Sequence, residues 1–282
     1  MSNMIDVKSR MRRSLGAGVA VAALGMGVLA AGRPAMATPA TMSFYPTTDV
    51  YPKDVLHLDV DYYVDTKFKN TAFSNYGLTY GTGPDHDGAL GRSEVGFDYV
   101  ASPFQGVNIG KRLWFNAKTQ LYNNDKSAVR VVTGVWGVGA RGNLGTGDTT
   151  LPPDVGYLLA SKNFSFGRIH AGIAHSFANK AVIATPAGNT DRTYLQLDYD
   201  KYISKNVQVG VDFYSGKSAI SVLAPVVYYY LNPNTSFLVS YVRFNDKSIG
   251  PSRNQIYLAF DYNFGRGANP KPAEAPAAAP AK

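Results

Sequence analysis

The chain has 282 residues and no cysteine, which excludes a disulfide scaffold and any thiolate metal site. Only 17% of the residues are charged, while Tyr (19), Phe (14) and Gly (28) are abundant, a balance that suits pleated, half-buried strands and tight turns better than helices. The net charge of +8 is concentrated at the start, where Lys8, Arg10, Arg12, Arg13 and Arg33 face one acid, Asp6; the rest carries 23 bases and 19 acids with no basic run, which excludes a nucleic-acid footprint.

In chain order, the first element is a leader. Lys8 to Arg13 form a basic region, Leu15 to Gly32 carry no charge, and Ala35-Met36-Ala37 has the small-x-small form of a cleavage site. Residues 1–37 are expected to be a signal peptide and Thr38 the first mature residue. The alternative is an uncleaved anchor, since the apolar run is about long enough to span a bilayer.

No later stretch is long and apolar enough for a spanning helix. Short segments alternate in polarity with period two instead. Leu56, Leu58, Val60 and Tyr62 interleave with His57, Asp59, Asp61 and Tyr63. Val95, Phe97 and Tyr99 alternate with Glu94, Gly96 and Asp98, and Leu113, Phe115, Ala117 and Leu121 with Arg112, Asn116, Lys118 and Gln120. Two further segments place Gln196, Asp198 and Asp200, then Gln208, Gly210 and Asp212, opposite aliphatic or aromatic neighbours. The last strand is the cleanest, with Ile256, Leu258, Phe260, Tyr262 and Phe264 on one phase. Weaker strands are expected near 72–80, 129–138, 155–162, 166–177, 219–231 and 236–245, giving about twelve strands of roughly 8–11 residues, the length a tilted strand needs to cross a bilayer.

The connections alternate between short and long. YNNDKSA, KNFS, KYISKN and LNPNTS are short, whereas GARGNLGTGDTTLPPD, ANKAVIATPAGNTDR and NDKSIGPSR are longer. Two segments break the pattern: SGKS is short where a long loop is due, and GTGPDHDGALGR is long where a turn is due. A miscounted strand would account for either. After residue 265 the chain is Pro- and Ala-rich and has little to bury, so 266–282 are expected to form a disordered tail.

A leader, tandem amphipathic strands and an aromatic-ended final strand, Ile256-Tyr257-Leu258-Ala259-Phe260-Asp261-Tyr262-Asn263-Phe264, resemble bacterial outer-membrane β-barrels. The resemblance is architectural and departs from the family in the residues that follow Phe264. It implies an all-β, transmembrane, antiparallel up-and-down barrel of about twelve strands over 38–265. Its partners would be outer-membrane lipid, the barrel-assembly machinery during biogenesis and small polar solutes; no cofactor or metal is implied.

The charged phase of each strand then faces the lumen, since a Lys or Arg turned to lipid at midplane costs about 2–4 kcal/mol. The expected pore-lining residues are Asp59, Asp61, Glu94, Asp98, Arg112, Lys118, Arg130, Arg168, Asp198 and Asp212. Opposed charges there filter solutes in a porin, while in a plugged lumen they merely pair. A barrel without an open pore is thus the second reading. A lipid hydrolase is the third: some outer-membrane phospholipases use a His and a Ser two apart on one strand, but His175 and Ser176 are adjacent and point to opposite faces. Asp85-His86-Asp87-Gly88 reads as turn chemistry before a metal site.

Overall fold

The structure, a computed structural model, describes residues 40–67, 71–86, 88–101, 113–139 and 152–265. The leader over 1–37, the tail over 266–282, Asp87 and Arg112 lie outside the described residues.

Thirteen strands form one antiparallel sheet: β1 (Leu56–Asp65), β2 (Thr71–Thr82), a two-residue β3 (Gly88–Ala89), β4 (Ser93–Ala101), β5 (Leu113–Asn124), β6 (Val129–Gly139), β7 (Val155–Phe164), β8 (Gly167–Ser176), β9 (Thr193–Ser204), β10 (Val207–Tyr214), β11 (Val222–Asn232), β12 (Thr235–Phe244) and β13 (Asn254–Phe264). Each long strand pairs with the next, and β1 also pairs with β13, Leu56 opposite Phe264 and Asp65 opposite Gln255. That last ladder closes the sheet into a twelve-stranded barrel and leaves no edge among the long strands, so backbone polar groups are satisfied within the wall. β3 extends β5 at the rim.

The alternation in sequence becomes an inside and an outside. Leu158, Ile173, Val227, Phe237, Val239 and Leu258 are exposed on the outer face. Their neighbours Leu159, Gly172, Val226, Ser236, Ser240 and Tyr257 take the inward phase. A belt of exposed aliphatic and aromatic side chains on nearly all the long strands is far more apolar surface than a soluble monomer presents; hydrocarbon is the solvent that tolerates it. Replacing Val239, midway along β12 and 52% exposed, by Arg is expected to cost about 2–4 kcal/mol. Denaturant-refolding titrations into lipid vesicles measure it, and Ser240→Ala, on the inner face, serves as the control.

Both ends of the described barrel, Leu56 and Phe264, lie at one rim. That rim also carries the turns 125–128, 165–166, 205–206 and 233–234, while the opposite rim carries 177–192, 215–221 and 245–253. SGKS therefore belongs to a seven-residue loop on the long-loop rim, because β11 begins at Val222 and not near 219. Among the described residues the long strands number twelve, as expected. The long connection 83–92 does sit on the short-turn rim, where β3 pairs with β5 and Arg92 meets Asp85. Short turns mark the periplasmic side of such barrels and long loops the outer side.

One outer loop is clasped by a carboxylate. Asp246 accepts from Asn189 Nδ2 at 2.6 Å, Ser248 N–H at 2.7 Å and the Thr185 hydroxyl at 2.8 Å. These bonds, the one from Asn189 foremost, hold its carboxyl well below the usual carboxylate range. A depressed folded value means that the clasp contributes above the unfolded carboxylate range and is lost only as pH falls through the lower folded value. Asp246→Ala is expected to release segment 177–192 already at neutral pH, seen as faster tryptic cleavage after Lys180 and Arg192, whereas the wild-type loop stays protected into mildly acidic buffer.

Candidate functional site

The lumen is occupied by the chain's own N-terminal segment. Residues 40–55 carry Pro46 and Pro52, which cannot donate to a ladder, and Ser, Thr and Asp, which bond their own backbone; such a segment adds no strand to the wall. It folds instead as a narrow hairpin inside the barrel. Met42 N–H donates to the Tyr45 carbonyl at 3.1 Å and Thr47 N–H to Ala40 at 2.9 Å, with Thr41 opposite Pro46. The tip, Ser43-Phe44, meets side chains near the long-loop rim, and the returning arm descends through Asp49 and Tyr51 to β1. Ala40, Met42, Tyr45, Thr47, Thr48, Val50 and Tyr51 are all buried.

The wall is graded to match. On β7 the inward residues run Val155, Tyr157, Leu159, then Ser161 and Asn163 towards the short-turn rim; on β9 they run Tyr194, then Gln196, Asp198 and Asp200. The half nearer the long loops is richer in apolar and aromatic side chains. There Phe44 packs edge-on against Tyr63 and Phe244, and Tyr45 stacks on Tyr214 with rings 5° from parallel. The half nearer the short turns is charged.

In that charged half, wall side chains bind the backbone of the hairpin and its Asp49. Glu94 accepts Ala40 N–H on one oxygen and Tyr51 N–H on the other, both at 2.8 Å. Lys118, fully buried, pairs with Glu94 at 3.0 Å and donates to the carbonyls of Ala40, Thr47 and Asp49. Arg168 grips Asp49 with both terminal nitrogens at 2.7 and 2.6 Å and turns its Nε to Asp200 at 2.8 Å. Arg130 adds a second cation on Asp49 at 2.8 Å. Thr48 N–H reaches His170 Nδ1 at 3.3 Å, so the other ring nitrogen carries the proton towards Asp200, 2.9 Å away. At the tip, one oxygen of Asp212 accepts from Ser43, Phe44 and Tyr45 N–H at 2.8, 2.7 and 3.1 Å. Gly81 completes the fit: a Cβ there would lie 2.0 Å from the Pro52 carbonyl oxygen, so only glycine lets the base of the hairpin approach β2 this closely.

Of the ten expected lumen residues, nine are described, and all nine turn inward. Glu94, Lys118, Arg130, Arg168 and Asp212 touch the hairpin. Asp61 and Asp98 are bound within the wall: Tyr257 OH and Asn75 donate to the first, Asn75 and Asn116 to the second. Asp59 and Asp261 stand opposite each other across β1 and β13, with His57 Nε2 at 3.8 and 4.0 Å. Asp198 meets Gln196. Arg112 lies outside the described residues. Ser176 donates to the Pro153 carbonyl inside the wall and His175 bonds Thr193 outside it, so the two share no proton.

Sequence reasoning missed the hairpin and Asp49, the acid that ties it to Arg130 and Arg168. The signal was available: between Ala37 and Leu56 the sequence holds Phe44, Tyr45, Tyr51 and two valines, more apolar surface than a solvated leader keeps in water.

Closed antiparallel pairing, an apolar exterior and a polar, charged interior decide the class. The chain is a closed transmembrane β-barrel. No protein-family model and no curated protein sequence matches it. Among solved structures it is similar to the KdgM porin in complex with disordered oligogalacturonate, with 10% identity and a TM-score of 0.46 over 74% of this chain and 99% of that one. It is also similar to a second KdgM porin structure at 10% identity and a TM-score of 0.44, with the same coverage. A loop L8 deletion mutant of OmpT, an outer membrane protein of Vibrio cholerae, shares 12% identity with a TM-score of 0.32, over 77% of this chain and all of that one.

Below the hairpin a vestibule of about 790 Å³ opens at the short-turn rim, lined by Asp49, Arg92, Arg130, Tyr202, Lys205 and Asn232 among others. Beside the hairpin a cavity of about 60 Å³ is lined by Asp59, Asp61, Asp261, Tyr228 and Tyr257, with Ala40 and Thr41. Water-sized space thus reaches the plug from the short-turn rim.

Proposed function

We propose that this barrel is a plugged channel: small polar solutes diffuse through the lumen when the hairpin over 40–55 leaves it. The observation that carries this reading is how the plug is held. Its lower half is bound by hydrogen bonds and ion pairs from Glu94, Lys118, Arg130 and Arg168, not by strand pairing with the wall. Water can replace each of those contacts, so the net worth of each is about 1.5–3 kcal/mol and not its gross strength. Once bare, the lumen would present Asp59, Asp61, Glu94, Asp98, Asp198, Asp200, Asp212 and Asp261 against Lys118, Arg130 and Arg168. That excess of carboxylates favours cations and neutral polar solutes. The apolar belt supports outer-membrane lipid as the surrounding partner, and β13, with Tyr262 and Phe264 at its end, supports delivery by the barrel-assembly machinery.

A barrel that never opens is the second reading, favoured by the packed aromatic cluster of Phe44, Tyr45, Trp136, Tyr194 and Tyr214. Planar-bilayer recording of the refolded chain separates the two. A plugged channel shows a closed level interrupted by discrete openings, while a permanently closed barrel shows none, with or without its hairpin.

A further inference from the structure

We propose that Gln196, Asp198 and Asp212 form a binding site for a hard divalent cation of the calcium class, built into the wall beside the tip of the plug. Asp198 of β9 and Asp212 of β10 are direct partners in the ladder, both turned inward, 3% and 0% exposed. Two carboxylates placed directly opposite repel each other unless a positive charge lies between them. Among the described residues neither makes an ion pair. The contrast with the next acid along β9 is informative: Asp200 has Arg168 at 2.8 Å, and that guanidinium is fully committed to Asp200 and Asp49.

A second, independent feature points to a ligand. Gln196, 0% exposed, is fixed by its amide nitrogen, which donates to Asp198 Oδ2 at 2.6 Å and to the Pro46 carbonyl at 2.7 Å. Its carbonyl oxygen is left buried with no hydrogen-bond partner, and so are Asp198 Oδ1 and Asp212 Oδ1. The remaining oxygen of Asp212 already takes three backbone N–H groups. Buried acceptors are ordinarily satisfied. Here three oxygens without a hydrogen-bond partner, two of them from carboxylates, belong to residues adjacent in the sheet, and Phe213 N–H is the one further donor near the Asp198 carboxylate. Oxygen-only ligands with two negative charges suit calcium better than a softer metal.

The site also bears on the plug. The groups that would hold the cation are the same ones that hold the tip of the hairpin, Asp212 through three amides and Gln196 through Pro46. A cation on their free oxygens fixes both side chains in the orientation that grips the tip, and so strengthens the plugged state.

Terbium luminescence tests this without reference to conductance, so a barrel that never conducts leaves the test intact. Tyr45, Tyr194 and Tyr214 form a stacked cluster beside the site and serve as the sensitiser. The refolded full-length mature chain in detergent is titrated with terbium ion and then back-titrated with calcium. The expected result is one saturable, calcium-displaceable site that Asp198→Asn and Gln196→Leu each weaken by about tenfold or more. Asp261→Asn, at the other facing carboxylate pair, is expected to leave it unchanged. A heat-modifiable gel shift confirms that each variant is folded, and Gln196→Leu keeps the test decisive should Asp198→Asn fail to refold. The proposal is overturned if the wild type gives no saturable signal, if both wall variants bind like the wild type, or if Asp261→Asn is the variant that abolishes binding. A proton shared between the two carboxylates would show as no terbium site at all.

Discussion

Removing residues 40–52 is expected to convert a barrel that is mostly closed into one that conducts steadily. The variant keeps Asp54 and Val55, so Asp54 N–H still donates to the Gly81 carbonyl and Gly81 N–H to the Val55 carbonyl, and β1 retains its anchoring at the rim. The wall should survive because its strand ladders are complete without the hairpin: β1 pairs along its whole length with both β2 and β13. The outer-half aromatics lose their packing against Phe44 and Tyr45 but still face one another, as in the Tyr63–Tyr257 and Tyr194–Tyr214 stacks. In planar bilayers the deletion should raise the time-averaged conductance by about tenfold or more, and reversal potentials in a salt gradient should report preference for the cation. The sign follows from the residues left behind. Loss of Asp49 frees Arg130, while Arg168 keeps Asp200 and Lys118 keeps Glu94, so the carboxylates still outnumber the bases. A deletion variant that inserts, shows the heat-modifiable shift and stays silent would overturn the channel reading. Anion preference would overturn the account of the lumen while leaving the plug in place.

The wall was largely legible from period-two alternation because one phase must satisfy lipid and the other must not. β13 shows this best: its outward Leu258 and inward Tyr257 and Asp261 sit on the expected phases. β11 was harder to read. Its inner face, Val222, Ala224 and Val226, packs in the dry half of the lumen while Leu223 and Val227 face lipid, so both phases are apolar and the strand start was misplaced. The plug was illegible for a different reason. A hairpin held by side chains of remote strands leaves no periodicity of its own: Ser43 bonds Asp212 and Ala40 bonds Glu94, contacts separated by 169 and 54 residues. The charges that bind it were visible, but their partners were backbone amides and one aspartate that carry no pattern. An inward charge in sequence thus identifies a lumen, and only the fold decides what fills it.

Asp49 is the residue on which the plugged state should turn, and Arg168→Met is its sharpest test. In the intact barrel Arg168 is 2% exposed and divides its guanidinium between Asp49 and Asp200. Methionine fills a similar volume and removes the charge. Asp200 keeps His170 at 2.9 Å and Gln208 at 3.0 Å whether the plug is in or out. Asp49 keeps only Arg130 while it stays inside, and reaches water when the hairpin leaves. Removing one partner of a buried ion pair costs about 3–5 kcal/mol, mostly as the penalty on the charge left behind. That penalty falls on the plugged state alone, and each 1.4 kcal/mol is about a tenfold change in an equilibrium. The closed-to-open ratio should therefore fall by roughly two to three orders of magnitude, read from single-channel dwell times. Asp49→Asn in the same background removes the stranded charge and should recover most of the loss, so the double-mutant cycle closes with a coupling well above that of an exposed pair. Arg168→Lys should not restore the wild type, since an ammonium cannot make the forked contact with Asp49 while also reaching Asp200. Equal dwell times in wild type and Arg168→Met would mean that the lower half of the hairpin does not hold the plug, and would shift its anchor to the aromatic tip.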